Sequence, residues 1–152
     1  MVWRHHVLVA GRGSYLPELQ LQVDIEGVSD IVHLAGFVPD DELRALLRRA
    51  GCVVIPSLYE PFGIVALEAM AAGAPVVAAR TGGLTEIVDG TGAGLLFEPG
   101  NRAQLADTIA SVLTNTGTAK SLQSAAAKLL KRRYTWDAIA ASTVGVYEIT
   151  LG

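Results

Sequence analysis

The sequence predicts an α/β fold, in the form of a three-layer Rossmann-like sandwich with a parallel sheet between helices. Short, continuously apolar runs alternate with segments of helical periodicity along the 152 residues, which is typical of parallel strands that are buried on both faces. The chain is 51% hydrophobic and 18% charged, so it can form a core and does not have the composition of a disordered chain. Its length is that of one domain, because domains commonly hold about 100–200 residues.

The first part of the chain predicts two strands, each followed by a helix. Val7–Ala10 is a short apolar run that ends at a glycine turn, which predicts a strand. A helix is expected over Tyr15–Ile25, with Ser14 as its N-cap. Ile31–Ala35 is the second apolar run. The next helix is expected to start with Asp40 as its cap, because leucines follow at helical spacings of three and four.

The second part repeats this order with three more strands. Cys52–Ile55 is continuously apolar and ends at a proline, and the alanine-rich segment Gly63–Ala72 after it predicts a helix. Pro75–Ala79 is the fourth strand, a short helix is expected over Leu84–Val88, and Gly94–Phe97 is the fifth strand. The last third is predicted to be helical over Arg102–Leu113, Ala119–Lys131 and Trp136–Tyr147, with a break at Asn115–Gly117.

Charge and cysteine content exclude several classes of protein. A formal net charge of −3 provides no field to hold a nucleic-acid backbone, so no nucleic-acid partner is expected. The single cysteine, Cys52, argues against a disulfide-stapled secreted domain, and we expect a cytoplasmic protein. The apolar stretch Pro61–Ala79 contains glycines, a proline and Glu68, so we interpret it as a buried helix and strand rather than a membrane span. The three histidines lie outside any ligand cluster, and we expect no metal site.

One loop carries the strongest functional signal. Ligands of parallel sheets lie outside the carboxyl ends of the strands, and there the chain runs from Pro56 to Gly63 into a helix. The first amides of that helix have no intrahelical partner and, with the helix dipole, form an anion site suited to a pyrophosphate. Glu68 lies one helical turn beyond Ile64, where a carboxylate can reach a ribose. Glu60, on the other side of these amides, would meet a group attached to the phosphates.

The same residues carry a resemblance to a known family. The run Glu60-Pro61-Phe62-Gly63-Ile64-Val65-Ala66-Leu67-Glu68 and the later Thr81-Gly82-Gly83 resemble the donor-binding domain of a retaining glycosyltransferase of family 4, with the GT-B fold. Two glutamates separated by seven residues form its motif, and Glu60 and Glu68 have this spacing. The resemblance extends over nearly the whole chain, and it is most specific over Val53–Val88. The segment Tyr59-Glu60-Pro61-Phe62-Gly63 is similar to the corresponding segment of glycogen synthases and other α-glucan synthases.

The resemblance implies a role for each motif residue. Glu60 is the implied catalytic residue, which binds hydroxyls of the donor sugar and stabilises its oxocarbenium-like transition state. The backbone of Val38 would touch the base, and Glu68 would hold the ribose. The implied contacts to the sugar and the diphosphate are the amides of Phe62 and Gly63 for the sugar and of Ile64 and Val65 for the diphosphate. Gly82 and Gly83 would line the same pocket.

The resemblance also implies parts that lie outside this sequence. The family's diphosphate clamp uses an Arg and a Lys whose positions fall before Met1, and Arg12 and Arg80 do not match them. The acceptor-binding N-terminal domain is also missing, so part of the apolar face of Trp136–Tyr147 is expected to be exposed. We therefore expect residues 1–152 to form a single donor-binding domain, truncated at its N-terminal edge. It would bind a nucleotide weakly and transfer little or no sugar.

The implied function is transfer of a hexose, with glucose as the leading candidate, from a nucleotide-diphosphate sugar without a metal or cofactor. Any peripheral membrane association would occur only through a missing domain. Two alternatives remain open: a non-catalytic binding or assembly module that needs a separate acceptor domain, and a GT-B relative such as a nucleotide-sugar epimerase or a phosphorylase. A phosphorylase needs a cofactor-bearing lysine, and no such context surrounds Lys120, Lys128 or Lys131.

Overall fold

The computed structural model describes residues 5–151, and the side chains of residues 5–150. All strand pairs within this range are parallel, which confirms the α/β class. The described residues divide into two compact units, with the boundary between Arg44 and Ala45. The strands pair as a two-stranded sheet in the first unit and as a three-stranded sheet in the second.

The first unit is a β–α–β arrangement followed by the start of a further helix. Its elements are β1 (Val7–Ala10), α1 (Leu16–Ile25), β2 (Val32–Gly36) and the beginning of α2 (Asp40–Arg49). Val7 pairs with Val32 and Ala10 pairs with Gly36, with an irregularity between Val9 and Ala10. The two strands therefore run side by side to their carboxyl ends.

Both predicted N-caps of this unit are wrong. The N-cap of α1 is Tyr15, without a side-chain cap, rather than Ser14. A cap at Ser14 would need the amide of Leu16 or Pro17, but the Leu16 amide donates to the Gly13 carbonyl at 3.4 Å and Pro17 has no N–H. Asp40 is already helical, because the carbonyl of Pro39 accepts the first helical hydrogen bond from Leu43. Asp40 instead adds negative charge to the first turn, where it favours the helix dipole.

The second unit contains the remaining strands and helices. Its elements after α2 are β3 (Val53–Ile55), α3 (Ile64–Ala71), β4 (Val76–Ala79), α4 (Gly82–Val88), β5 (Leu95–Phe97), α5 (Arg102–Thr114), α6 (Thr116–Arg133) and α7 (Trp136–Leu151). The strand order is β3-β4-β5, so β4 is the central strand. The helix α4 begins at Gly82 rather than at Leu84, and α7 extends beyond Tyr147.

The core of the second unit is built around β4. All four residues of this strand are fully buried at 0% exposure, as predicted for a parallel strand covered on both faces. Val77 and Ala79 belong to one core cluster, which they share with Phe97, Val112 and Leu122. Because side chains alternate along a strand, Val76 and Ala78 point to the opposite face. The sheet of this unit is therefore packed on both sides.

Two asparagines start the helices that cover this core. The side chain of Asn101 accepts a hydrogen bond from the Gln104 amide at 3.0 Å and so caps α5. The Asn115 side chain accepts from the amides of Gly117 and Thr118 at 2.9 and 3.1 Å. Asn115 alone separates α5 from α6. The observed break is therefore shorter than the three-residue break predicted at Asn115–Gly117.

The last helix, α7, exposes its large apolar side chains, whereas an ordinary surface helix buries them. Its large apolar side chains are exposed: Trp136 is 86%, Ile139 41%, Val146 62% and Tyr147 64% exposed. Its half-buried positions are small residues, such as Ala138 and Gly145. The predicted exposure of an apolar face on this helix is confirmed. Among the residues that the structure describes, no helix is both long and apolar enough to cross a membrane.

Candidate functional site

The loop from β3 to α3 brings the motif residues together at the carboxyl end of β3. Gly63 is the N-cap of α3 and has a φ of +71°, a left-handed conformation that side-chain-bearing residues rarely adopt. A Cβ at this position would lie 2.8 Å from Cδ1 of Ile87 and 3.2 Å from the carbonyl carbon of Gly83. Both the turn and the close packing against α4 therefore require glycine.

The amides at the N-terminus of α3 differ in whether they donate a hydrogen bond within the protein. The Gly63 amide donates to Oε1 of Glu60 at 3.2 Å. Within the described part of the chain, the amides of Ile64 and Val65 donate to no protein acceptor. Unpaired amides at a helix N-terminus, together with the helix dipole, attract anions. The two amides that the resemblance assigns to a diphosphate are therefore the two that are open.

A second loop, from β4 to α4, is joined directly to the first. The Gly83 amide donates to the Glu60 carbonyl at 2.9 Å, and Oγ1 of Thr81 donates to the Leu58 carbonyl at 3.2 Å. Gly83 is buried, and a Cβ there would meet the backbone of Phe62 at 2.5 to 2.8 Å. A Cβ on Gly82 would likewise collide with the Glu60 carbonyl. The two loops thus form one continuous backbone surface.

The two motif glutamates, one in the first loop and one on α3, have carboxylate oxygens that accept no hydrogen bond within the described part of the chain. Glu60 is half-buried and Glu68 is exposed on α3. Among the described residues, no Lys, Arg or His forms an ion pair with either side chain. A carboxylate has about four acceptor positions, and the Gly63 amide occupies only one of those on Glu60. Both side chains can therefore accept hydrogen bonds from the hydroxyls of a ligand.

Exposed apolar side chains surround these polar groups. Tyr59 is 81%, Phe62 74%, Ile64 58% and Val65 45% exposed. Close contacts join the backbone of Glu60 and Phe62 to Gly82 and Gly83, and Gly63, Ile64, Val65 and Glu68 follow at the N-cap and along α3 of the same unit. Val38 lies in the first unit, half-buried in the loop after β2.

Arg80 takes part in an ion-pair network that the sequence did not predict. Its guanidinium lies 3.3 Å from Oδ1 of Asp89 and 2.9 Å from Oε1 of Glu98. A hydrogen bond to Asp89 is the main cause that raises the pKa of Arg80 above its ordinary value. The partners are distant in sequence, so no local pattern indicates the network. Arg80 is therefore paired with two carboxylates of its own chain.

Two further kinds of site chemistry would need a nucleophilic cysteine or a metal-binding group. Cys52 is half-buried and packs against the core cluster of the second unit. Burial raises the pKa of its thiol to about 11, which opposes a role as a nucleophile. Across residues 5–151, no three His, Cys, Asp or Glu residues form a group that could hold a metal ion. Metal-independent transfer stays a prediction.

Comparison with known proteins identifies the family of the chain. The family model of "Glycosyl transferases group 1" matches residues 4–129. The chain is 43% identical to an uncharacterized glycosyltransferase, MJ1607, of Methanocaldococcus jannaschii, over 97% of this chain and 38% of that protein. It is 39% identical to a glycogen synthase of Mycobacterium tuberculosis, over 91% of this chain and 34% of that protein.

A solved structure shows the same fold. The Anabaena protein Alr3699/HepE, in complex with UDP, superposes with a TM-score of 0.80 at 28% identity, over 97% of this chain and 41% of that one. The chain therefore spans well under half the length of these relatives. It corresponds to part of a GT-B protein, and it belongs to the glycosyl transferases group 1 family.

Proposed function

We propose that this chain is the donor-binding part of a retaining glycosyltransferase that transfers a hexose from a nucleotide-diphosphate sugar. The observation that carries the proposal is the joined pair of loops at the carboxyl ends of β3 and β4. They place the open amides of Ile64 and Val65 beside the carboxylate of Glu60. Amides and a carboxylate side by side suit a ligand that has a diphosphate next to a polyhydroxylated ring.

Each group has a distinct role in this proposal. The amides of Ile64 and Val65 bind the diphosphate and stabilise the charge that grows on it as the glycosidic bond breaks. Glu60, oriented by its bond with the Gly63 amide, accepts hydrogen bonds from the sugar hydroxyls and faces the positive charge of the oxocarbenium-like transition state. Glu68, further along α3, accepts hydrogen bonds from the ribose. Phe62, Gly82 and Gly83 line the pocket, and the contact of the Val38 backbone with the base stays an expectation of the resemblance.

The relatives narrow the choice of probes. The HepE structure holds UDP, and a glycogen synthase is among the similar proteins. UDP, ADP and their glucose esters are therefore the first ligands to test. The acceptor-binding part belongs, in this proposal, to the remaining length that the relatives have and this chain does not cover.

Calorimetry with UDP, ADP and GDP and their sugar esters tests the proposal. We expect at least one of these ligands to bind, and Glu68→Ala to weaken its binding roughly tenfold, as the loss of a hydrogen bond to a charged group does. Glu148→Ala removes another exposed helical glutamate and serves as the matched control, with unchanged binding expected. Equal binding by the Glu68 variant and the wild type contradicts the ribose assignment.

Turnover is a separate test of the same proposal. Transfer needs donor and acceptor held in alignment with water excluded, and this chain supplies the donor side alone. We expect no glucose transfer from UDP- or ADP-glucose to maltooligosaccharides by the isolated chain. Transfer is expected only when a separately produced acceptor domain is added. Transfer by the isolated chain would refute this part of the proposal. Transfer of glucose, or hydrolysis of the nucleotide sugar, that occurs only after the acceptor domain is added supports it.

A further inference from the structure

Two histidines that are distant in the sequence meet on one face of the two-stranded sheet of the first unit. His6 directly precedes β1, and His33 lies in β2, where its register partner is Leu8. Because side chains alternate along a strand, His6 and Leu8 lie on the same face, and register partners on adjacent strands share a face as well. The register of β1 and β2 therefore places the two imidazoles side by side.

The distance within this pair matches the distance between two ligands of one metal ion. Nδ1 of His6 lies 3.3 Å from Nε2 of His33, and the stacked rings have 5.6 Å between their centroids and 9° between their planes. With zinc–nitrogen bonds of about 2.0–2.1 Å and tetrahedral angles, two imidazole nitrogens on one Zn²⁺ lie roughly 3.3 Å apart. Both histidines are exposed, so an ion can enter from solvent and keep water as its remaining ligands.

Both nitrogens are available to an ion. Among the residues that the structure describes, the hydrogen-bond partner of each imidazole is the other one, and no carboxylate forms an ion pair with either. A neutral imidazole carries one proton and can hold it on either ring nitrogen. The ring that donates in the His6–His33 hydrogen bond therefore offers a lone pair to an ion once its proton lies on its other nitrogen.

We propose that His6 and His33 form a binding site for a divalent transition-metal ion such as Zn²⁺. Imidazole nitrogen suits zinc, copper and nickel ions, whereas Mg²⁺ and Ca²⁺ prefer oxygen ligands. The bound ion links the segment before β1 to β2 and stabilises the folded unit, because a ligand that binds the folded chain alone shifts the folding equilibrium. The sequence predicted no metal site, since no local spacing indicates a pair of histidines 27 residues apart.

The site is separate from the chemistry of sugar transfer. His6 lies at the amino end of β1, and His33 is the second residue of β2. Parallel sheets bind their substrates at the opposite, carboxyl ends of the strands. The ion therefore has a structural role in the first unit, and the inference does not depend on the proposed function.

Calorimetric titration of the chain with ZnCl₂, without a histidine tag, tests the site. The variants are His6→Ala and His33→Ala, and His5→Ala is the matched control because it removes a neighbouring exposed histidine outside the pair. We expect the wild type and His5→Ala to bind alike. Each variant of the pair should bind Zn²⁺ about tenfold more weakly or worse, since loss of even an outer-shell partner of a metal ligand costs that much. MgCl₂ should not compete with Zn²⁺.

The imidazole nitrogen signals in NMR spectra identify the ligands directly. Zn²⁺ should shift the signals of Nδ1 of His6 and Nε2 of His33 and leave those of His5 unchanged. The double variant should bind about as weakly as either single variant, because one remaining imidazole no longer chelates. An equal loss in His5→Ala, or Zn²⁺ binding that neither variant of the pair weakens, overturns the inference. Neither outcome affects the proposed function, because no nucleotide takes part in the measurement.

Discussion

At the scale of single residues, the site depends on backbone positions that only glycine can occupy. Gly63 combines a positive φ with close packing against Ile87. Gly83 is not in a left-handed conformation, yet the backbone of Phe62 lies where its Cβ would be. These close approaches allow the Gly83 amide to reach the Glu60 carbonyl. The position of the catalytic candidate is therefore fixed through the main chain, while its carboxylate stays available to a ligand.

The first residue-scale prediction concerns the charge of Glu60. Glu60→Gln retains the size of the side chain and an oxygen that can accept from the Gly63 amide, but it removes the negative charge that would face the sugar. We expect UDP binding to change less than twofold, and UDP-glucose binding to weaken roughly fivefold to tenfold, because hydrogen bonds to charged groups are the stronger ones. Calorimetric titration with both ligands measures the difference. Equal weakening for UDP and UDP-glucose would contradict a contact between Glu60 and the sugar.

The second residue-scale prediction concerns the titration of Cys52. Burial raises its thiol pKa from 9.0 to about 11, so the folded chain holds the neutral thiol more strongly than the unfolded chain does. The resulting stability is present below pH 9.0 and is lost as pH rises towards 11. At pH 8 the thiolate fraction, and hence the alkylation rate by iodoacetamide, should be roughly a hundredfold lower in the folded chain. The rate in urea is the reference, and equal rates in the two states would show that the thiol is not shielded.

At the scale of elements, the sequence predicted the order and type of the helices and strands better than their ends. The apolar run of β4 appears where predicted because burial on both faces leaves a continuous hydrophobic signal, and α3 appears where predicted because an alanine-rich run favours a helix. Helix starts were harder to predict. At α1 the Leu16 amide donates to the Gly13 carbonyl and Pro17 has no N–H, and at α2 the Pro39 carbonyl accepts the first helical bond. Which competing acceptor begins a helix depends on local geometry rather than on residue type alone.

The candidate site, too, could be predicted from the sequence only in part. The spacing of Glu60 and Glu68 and the glycines around α3 could be read from the sequence because they lie within one segment. The bond between the Gly83 amide and the Glu60 carbonyl joins segments that tertiary folding brings together. The same holds for the Arg80 network and for the contact between Arg12 and Phe37. No local pattern encodes these contacts.

An element-scale prediction follows from the short break between α5 and α6. Asn115 accepts from two amides of α6, so Asn115→Ala should lower the free energy of unfolding by about 1 kcal/mol. Asn115→Asp keeps the acceptor oxygen, and its added charge favours the dipole of α6 but opposes that of α5, whose C-cap is the same residue, so its stability should stay close to that of the wild type. Urea denaturation of the three proteins measures both effects. Equal losses in the alanine and aspartate variants would show that the cap is not the cause.

At the scale of the whole molecule, the chain carries an apolar helix face that its own fold leaves uncovered. Trp136, Ile139, Val146 and Tyr147 are exposed on α7, whereas its half-buried positions are small residues such as Gly145. Relatives are much longer than this chain. A helix that turns its large apolar side chains to solvent loses the hydrophobic free energy that burial would supply, about 25 cal/mol per Å². In the isolated chain this surface favours association.

The corresponding prediction is that the isolated chain self-associates through α7. Val146→Lys combined with Ile139→Lys places two charges on the exposed face, where each lysine can extend into water, and it should shift the chain towards monomer in sedimentation-velocity runs over a range of concentrations. Stability should change by less than about 1 kcal/mol, because substitutions at exposed positions away from packing contacts usually have small effects. Glu148→Lys, on an exposed position of the same helix, introduces the same residue without removing an apolar side chain. If that control abolishes association as strongly as the double variant does, net charge rather than the apolar face of α7 controls the association.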